Sequence, residues 1–227
     1  MMRPQPEAVL FDFDGTLVHI AIDFQAMKNG ALEVARRYGA NPDPNMFTLE
    51  MVELVRDALA TRDPESAERF RREALAGIQQ VEMRAVDKAE PLPGVPETLA
   101  WLRANGIGIG IVTRNCRAAV AAVIERYALP FDVLLTRDDV ARVKPNPEHL
   151  LGALRFLEAR PSHSIMVGDH PTDVEAGRAA GMVTAAVTTT RSAAQFDGAP
   201  DFVLEQMTDL QDIIASGAWL KAASRSC

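Results

Sequence analysis

The chain has 227 residues, 48% hydrophobic and 24% charged, a composition that supports a packed core and excludes an intrinsically disordered protein. A formal net charge of -7 at pH 7 excludes a general nucleic-acid binder, which needs a cationic surface. No uninterrupted run of about 18 or more apolar residues occurs, so no membrane span is expected.

In chain order, "AVLFDF" (8–13) reads as a first buried strand. From about residue 19 to 89 strand signals give way to helical patterns in "FQAMKNGALEVARRYG", "MFTLEMVELVRDALA" and "PESAERFRREALAGIQQVEMRAVDKA". The breaks "GANPDPN" and "TRDPES" carry the Pro and Asx chemistry of turns and helix starts. Pro91, Pro93, Gly94 and Pro96 then mark a return linker. Strand-like runs resume at 107–113, 131–136, 164–169, 183–189 and 201–205, with helical stretches near 95–105, 115–128, 147–159 and 172–180. This alternation predicts an α/β fold, a Rossmann-like doubly wound parallel sheet, formed by 1–18 and 91–227. Residues 19–90 form an all-helical domain inserted after the first strand, read either as a lid beside a site or as a statically packed bundle.

The opening "MMRPQPEAVLF" has prolines where a secretion signal would be hydrophobic. Cys116 and Cys227 belong to no paired spacing, so neither a disulfide nor a zinc site is expected, and a reducing cytoplasm fits.

In an open parallel sheet, ligands bind beyond the carboxyl ends of the strands. The first strand ends in Asp12-Phe13-Asp14-Gly15, two carboxylates that share one side if the extended geometry continues that far. Taken alone, this is either a charged site or a solvated Asp-Gly turn. The second strand ends in Thr113-Arg114-Asn115, Lys144 follows the third in "VKPNPEHL", and the fourth ends in "GDHPTD" with Asp169 and Asp173. Singly, Asn115 reads as a helix cap, Lys144 as a loop charge and Asp173 as a first-turn acid. Together they place a phosphate- or metal-compatible group at every strand end.

This order of residues resembles the haloacid dehalogenase superfamily, in its phosphoglycolate phosphatase-like branch with a helical cap. Its DxDGT motif matches Asp12 to Thr16, its strand-ending hydroxyl Thr113, its lysine Lys144, and its GDxxxD motif Gly168 to Asp173. The resemblance spans residues 8 to about 190 and places the helical insert where that family's cap lies. It implies a hydrolase with Asp12 as nucleophile, forming an aspartyl-phosphate, and Asp14 as general acid and then base. Magnesium is implied on Asp12, the Asp14 main-chain carbonyl and Asp169. Thr113, Lys144 and the Arg114 main-chain N–H are implied to bind phosphate, while Asp173 either orients Lys144 or holds a metal-bound water. His170 stands where many relatives carry Ser.

Fold alone does not fix the reaction. Asp14 argues against dehalogenation, which needs no proton donor for a halide. A phosphomutase keeps both aspartates and remains the alternative. A phospho-accepting signalling domain shares the rim of Asp, Thr and Lys, but needs neither Asp14 nor the long insert. The expected partner is a small phosphorylated metabolite, such as phosphoglycolate, a sugar phosphate, a nucleoside monophosphate or pyrophosphate. Nucleic acid and membrane are not expected partners. Arg56, Arg62, Arg69, Arg71, Arg72 and Lys88 on the insert are either contacts for an anionic tail or solvated helix charges.

Overall fold

The structure is a computed structural model describing residues 5–196 and 200–223; Cys227 and the first four residues of the N-terminal stretch lie outside the described residues. It separates into two compact units, one taking in the described residues of Met1–Ile20 and Ala89–Cys227, the other Ala21–Lys88.

In the first unit, β1 (Ala8–Phe11) is wholly buried and leads to a two-residue strand β2 (Val18–His19). The helices α1 (Phe24–Arg37), α2 (Thr48–Ala60) and α3 (Pro64–Ala85) form the second unit. Side chains of Asp23 and Asp63 accept the N–H groups of Ala26 and Ser66, fixing the starts of α1 and α3. Their buried faces share one core of Met27, Leu32, Met51, Val52, Phe70 and Ile78. Each such side chain contributes about 1.5–3 kcal/mol on leaving water, which holds the three helices together.

The chain re-enters the first unit at β3 (Glu90–Pro91), which pairs antiparallel with β2. This ribbon was not expected, because two residues carry no readable period. The remaining elements are α4 (Val95–Ala104), β4 (Gly108–Val112), α5 (Arg117–Tyr127), β5 (Val133–Leu135), α6 (Glu148–Phe156) and β6 (Ser164–Gly168). They are followed by α7 (Pro171–Ala179), β7 (Val183–Val187), β8 (Phe202–Leu204), α8 (Asp209–Ser216) and α9 (Trp219–Ala223). The six-stranded sheet is parallel throughout, in the order β5-β4-β1-β6-β7-β8.

Central strands are buried on both faces and therefore read as continuous apolar runs. Leu10, Val112, Val133, Leu150, Leu154 and Met166 form part of the sheet unit's core, with α6 packed on β4 and β5 and α7 on β6 and β7. Gly110 lets Leu10 approach the β4 backbone, since a Cβ there would meet the leucine's Cδ2. Trp219 is fully buried, so it belongs to the core. Among the described residues, no helix is long and apolar enough to cross a membrane.

Candidate active site

β1 lies at the centre of the sheet, between β4 and β6, so residues just beyond its end meet those beyond both neighbours. The ladder outlasts the strand by one residue, because the Asp12 N–H donates to the Val167 carbonyl at 2.9 Å. Thereafter the chain turns instead of staying extended. Gly15 adopts φ +79°, and a side chain there would collide with Asp169, so both conformation and space require glycine. The turn is closed by Gly15 N–H to the Val18 carbonyl at 2.8 Å and by Leu17 N–H to the Phe13 carbonyl at 3.0 Å. The two aspartates consequently engage different partners. Asp12 Oδ1 lies 2.8 Å from Lys144 Nζ, whereas the Asp14 carboxylate accepts from Asn115 Nδ2 at 3.0 and 3.2 Å.

Lys144 comes from the irregular segment between β5 and α6 and is 1% exposed. Its ammonium also lies 2.7 Å from Asp173 Oδ1. Asp173 occupies the first turn of α7, where its other oxygen accepts the His170 N–H at 3.0 Å in a capping box. The first-turn position and the pairing with Lys144 thus belong to the same carboxylate. His170 is the N-cap of α7, and its ring Nδ1 accepts the Thr172 N–H at 3.2 Å. Gly168 makes room for Asp173, since a Cβ at 168 would overlap that side chain.

Asp169 is buried and accepts from two hydroxyls, Thr16 Oγ1 at 3.4 Å and Thr190 Oγ1 on its other oxygen. Thr189 likewise donates to the Gly15 carbonyl, so the segment after β7 braces both the first turn and Asp169. Thr113 extends β4 by pairing its N–H with the Leu135 carbonyl, and its Oγ1 accepts the Asn115 N–H at 3.0 Å. Arg114 places Nη1 2.7 Å from the Lys144 carbonyl. Cys116 is the buried N-cap of α5, as a small residue at a helix start should be.

Carboxylate oxygens of Asp12, Asp169 and Asp173 lie within 4.8 Å of one another, all buried. Burial raises Asp12 to about 6, with Lys144 pulling it down and Asp173 pushing it up. Asp169 is also raised to about 6, by burial and then by the Asp12 charge. Burial likewise raises Asp173 against the pull of Lys144. Burial works against the Lys144 ammonium, but Asp12 and Asp173 outweigh it and raise its pKa. When ionised, the three carboxylates outnumber the one ammonium, which contacts Asp12 and Asp173, with Arg191 also favouring the charge on Asp169. Hard oxygen donors with surplus negative charge fit a magnesium ion.

Asn115 reads as a helix cap from the sequence, but the cap of α5 is Cys116; Asn115 stands one residue before it, with its Oδ1 accepting the Cys116 N–H at 2.7 Å. Its amide hydrogens, however, hold Asp14. With Asp14 in the acid role that the resemblance implies, Asn115→Ala is expected to lower kcat about tenfold or more with KM little changed, since the carboxyl loses the amide that holds it. Steady-state kinetics on the best substrate checks this.

His149, in the first turn of α6, is wholly buried. Burial lowers it to about 3, helped by the Lys144 and Arg114 cations and opposed by the Leu135 carbonyl and Asp139. Unfolding restores a value near 6.5, so below that pH the unfolded chain binds a proton that the folded protein refuses. This contribution to stability is therefore complete above pH 6.5 and is lost as pH falls towards 3. Between pH 7 and 4 the wild type is expected to lose up to about 3 kcal/mol more than His149→Leu, measured by denaturant unfolding.

Three of the insert's six candidate cations are paired within their own unit. Arg56 pairs with Glu53 and Asp57, Arg69 with Glu65 and Arg71 with Glu53, while Arg62, Arg72 and Lys88 are exposed. His19 on β2 and Asp23 at the α1 cap are exposed as well.

Sheet and rim together define a Rossmann-like α/β enzyme with an acid-and-lysine centre beyond its strand ends. The model of the haloacid dehalogenase-like hydrolases matches residues 9–187. Over 213 residues the chain is 33% identical to pyrophosphatase PpaX of Bacillus thuringiensis (strain Al Hakam), covering 91% of this chain and 95% of that protein. The chain belongs to the haloacid dehalogenase-like hydrolase family. Its fold is that of a phosphonoacetaldehyde hydrolase-like protein from Oleispira antarctica, with TM-score 0.69, 18% identity, and coverage of 98% and 95% of the two chains. It is also that of a predicted phosphoglycolate phosphatase from Haemophilus somnus 129pt, with TM-score 0.62, 19% identity, and coverage of 92% and 98%.

Proposed function

We propose that the protein is a magnesium-dependent phosphatase that hydrolyses a small phosphomonoester through an aspartyl-phosphate on Asp12. The observation that carries this reading is the pairing of buried Lys144 with both Asp12 and Asp173, beside an Asp14 held separately by Asn115. That arrangement supplies a nucleophile, an anion-binding cation and a proton donor as three distinct groups.

In this reading Asp12 attacks phosphorus, forming a P–O bond as the bond to the leaving alcohol breaks. Asp14 donates its proton to that alcohol, then takes one from the water that cleaves the aspartyl-phosphate. Lys144 and Thr113 hold the equatorial oxygens, where phosphoryl transfer gathers charge. Asp173 keeps the ammonium aimed at the phosphoryl position, and the Arg114 guanidinium secures the loop that carries it. Bound through Asp12, the Asp14 carbonyl and Asp169, magnesium would neutralise the surplus negative charge and polarise a phosphoryl oxygen. The helical insert is read as the cap that excludes water and selects small substrates.

Similarity to proteins named pyrophosphatase PpaX supports a second reading, in which the leaving group is phosphate itself. The test is phosphate release from a panel of small phosphomonoesters and pyrophosphate, with and without magnesium. Magnesium-dependent release from a monoester is expected. Preference for pyrophosphate moves the assignment to the second reading. Stable labelling of Asp12 without release indicates a mutase or a phospho-accepting module.

A further inference from the structure

Lys144 lies where no strand takes up its main chain, yet that main chain is held on both sides. Its N–H donates to Nδ1 of His149 at 3.2 Å, and its carbonyl accepts from Arg114 Nη1 at 2.7 Å. The ammonium at the far end then spans Asp12 and Asp173. An amide N–H can only donate, so Nδ1 must present its lone pair and the ring proton must sit on Nε2. Nε2 is buried and makes no hydrogen bond of good geometry. A buried polar atom left in that state costs stability, and an aliphatic side chain would fill the place without that cost.

We propose that His149 is a positioning residue for Lys144: its neutral ring anchors the lysine's amide and so fixes where the ammonium meets the phosphoryl group. This rests on the reading of Lys144 as a phosphate-binding cation. The groups facing the ring favour the neutral form on balance. Lys144 and Arg114 oppose a positive charge, while Asp139 and the Leu135 carbonyl favour one. Protonation would set an Nδ1–H against the Lys144 N–H and break the anchor.

The test compares His149→Leu, which keeps bulk but has no acceptor, with His149→Asn, whose Oδ1 lies one bond from Cγ as Nδ1 does. Misplacing a catalytic group by about 1 Å costs up to about 10²-fold. The Leu variant is expected to lose about tenfold or more in kcat with a native-like melting transition, and the Asn variant to recover to within about threefold. Amide hydrogen exchange at Lys144, followed by NMR without substrate, supplies a readout independent of turnover. Protection is expected to fall about tenfold or more in the Leu variant and to persist in the Asn variant.

The proposal is overturned by unchanged Lys144 protection in the Leu variant, by wild-type turnover in that variant, or by an Asn variant no better than Leu. A wild type inactive on every substrate overturns the phosphatase reading instead, and the exchange measurement still decides the anchor.

Discussion

Asp12→Asn is expected to reduce turnover by about 10⁴-fold or more while leaving the metal-free protein as stable as the wild type, or more so. On the proposed mechanism the kinetic loss follows from removing the atom that forms the covalent bond, a step that other residues do not replace. The stability expectation follows from the local charge. Asp12 is held near pKa 6 chiefly by burial, so at pH 8 its ionisation opposes folding. A carboxyl raised in this way contributes its stability below the unfolded value, and that contribution is lost as pH rises through about 6. Asn removes the charge and keeps the shape, and Lys144 retains Asp173 as a partner. Phosphate release together with melting temperatures at pH 5 and 8 tests both parts. A variant that loses activity and also melts several degrees lower at both pH values contradicts this account, because Asp12 would then be structural.

The main positions of the rim were legible in the sequence because strand ends concentrate them. Asp12, Thr113 and Asp169 each directly follow an apolar run, and in a parallel sheet all such ends face one edge; Lys144 lies nine residues beyond β5, in the loop on that edge. What links these positions was harder to read. Asn115 has the chemistry of a helix cap, so its grip on Asp14, 101 residues away in sequence, leaves no local trace. Thr190 looks like a generic residue after a strand of β-branched type, yet its hydroxyl reaches Asp169. His149 reads as one polar residue in a short helix, and its burial is decided by the loop folding back over it. The β2–β3 ribbon is too short to show a period; α8 was not singled out although Thr208 and Gln211 have the spacing of a helix start, and α9 is only five residues long. Sequence pattern reports what each element buries; contacts between side chains from different elements depend on topology.

Lys144→Met is expected to abolish turnover and, unlike Asp12→Asn, to unfold more easily in a strongly pH-dependent way. The lysine is the cation shared by two buried acids, and removing one partner of such a set costs about 3–5 kcal/mol. At this chain length that is about 10 °C in melting temperature. The sign with pH is fixed by what remains. Lys144 now lowers Asp12 and Asp173 against their burial, so its loss raises both further. Protonated, they need no counterion. The deficit relative to wild type should therefore be small near pH 4.5, and should grow as pH rises through 6 towards 8. Adding Asp173→Asn to Lys144→Met should restore much of the stability at pH 8 while restoring no turnover, separating charge balance from catalysis. Magnesium should also narrow the deficit if the remaining acids bind it, by mass action on the folded state. Equilibrium unfolding across pH, with and without magnesium, measures all of this. A deficit independent of pH would mean that Lys144 matters for its packed methylenes, not for the charge it sets against Asp12 and Asp173.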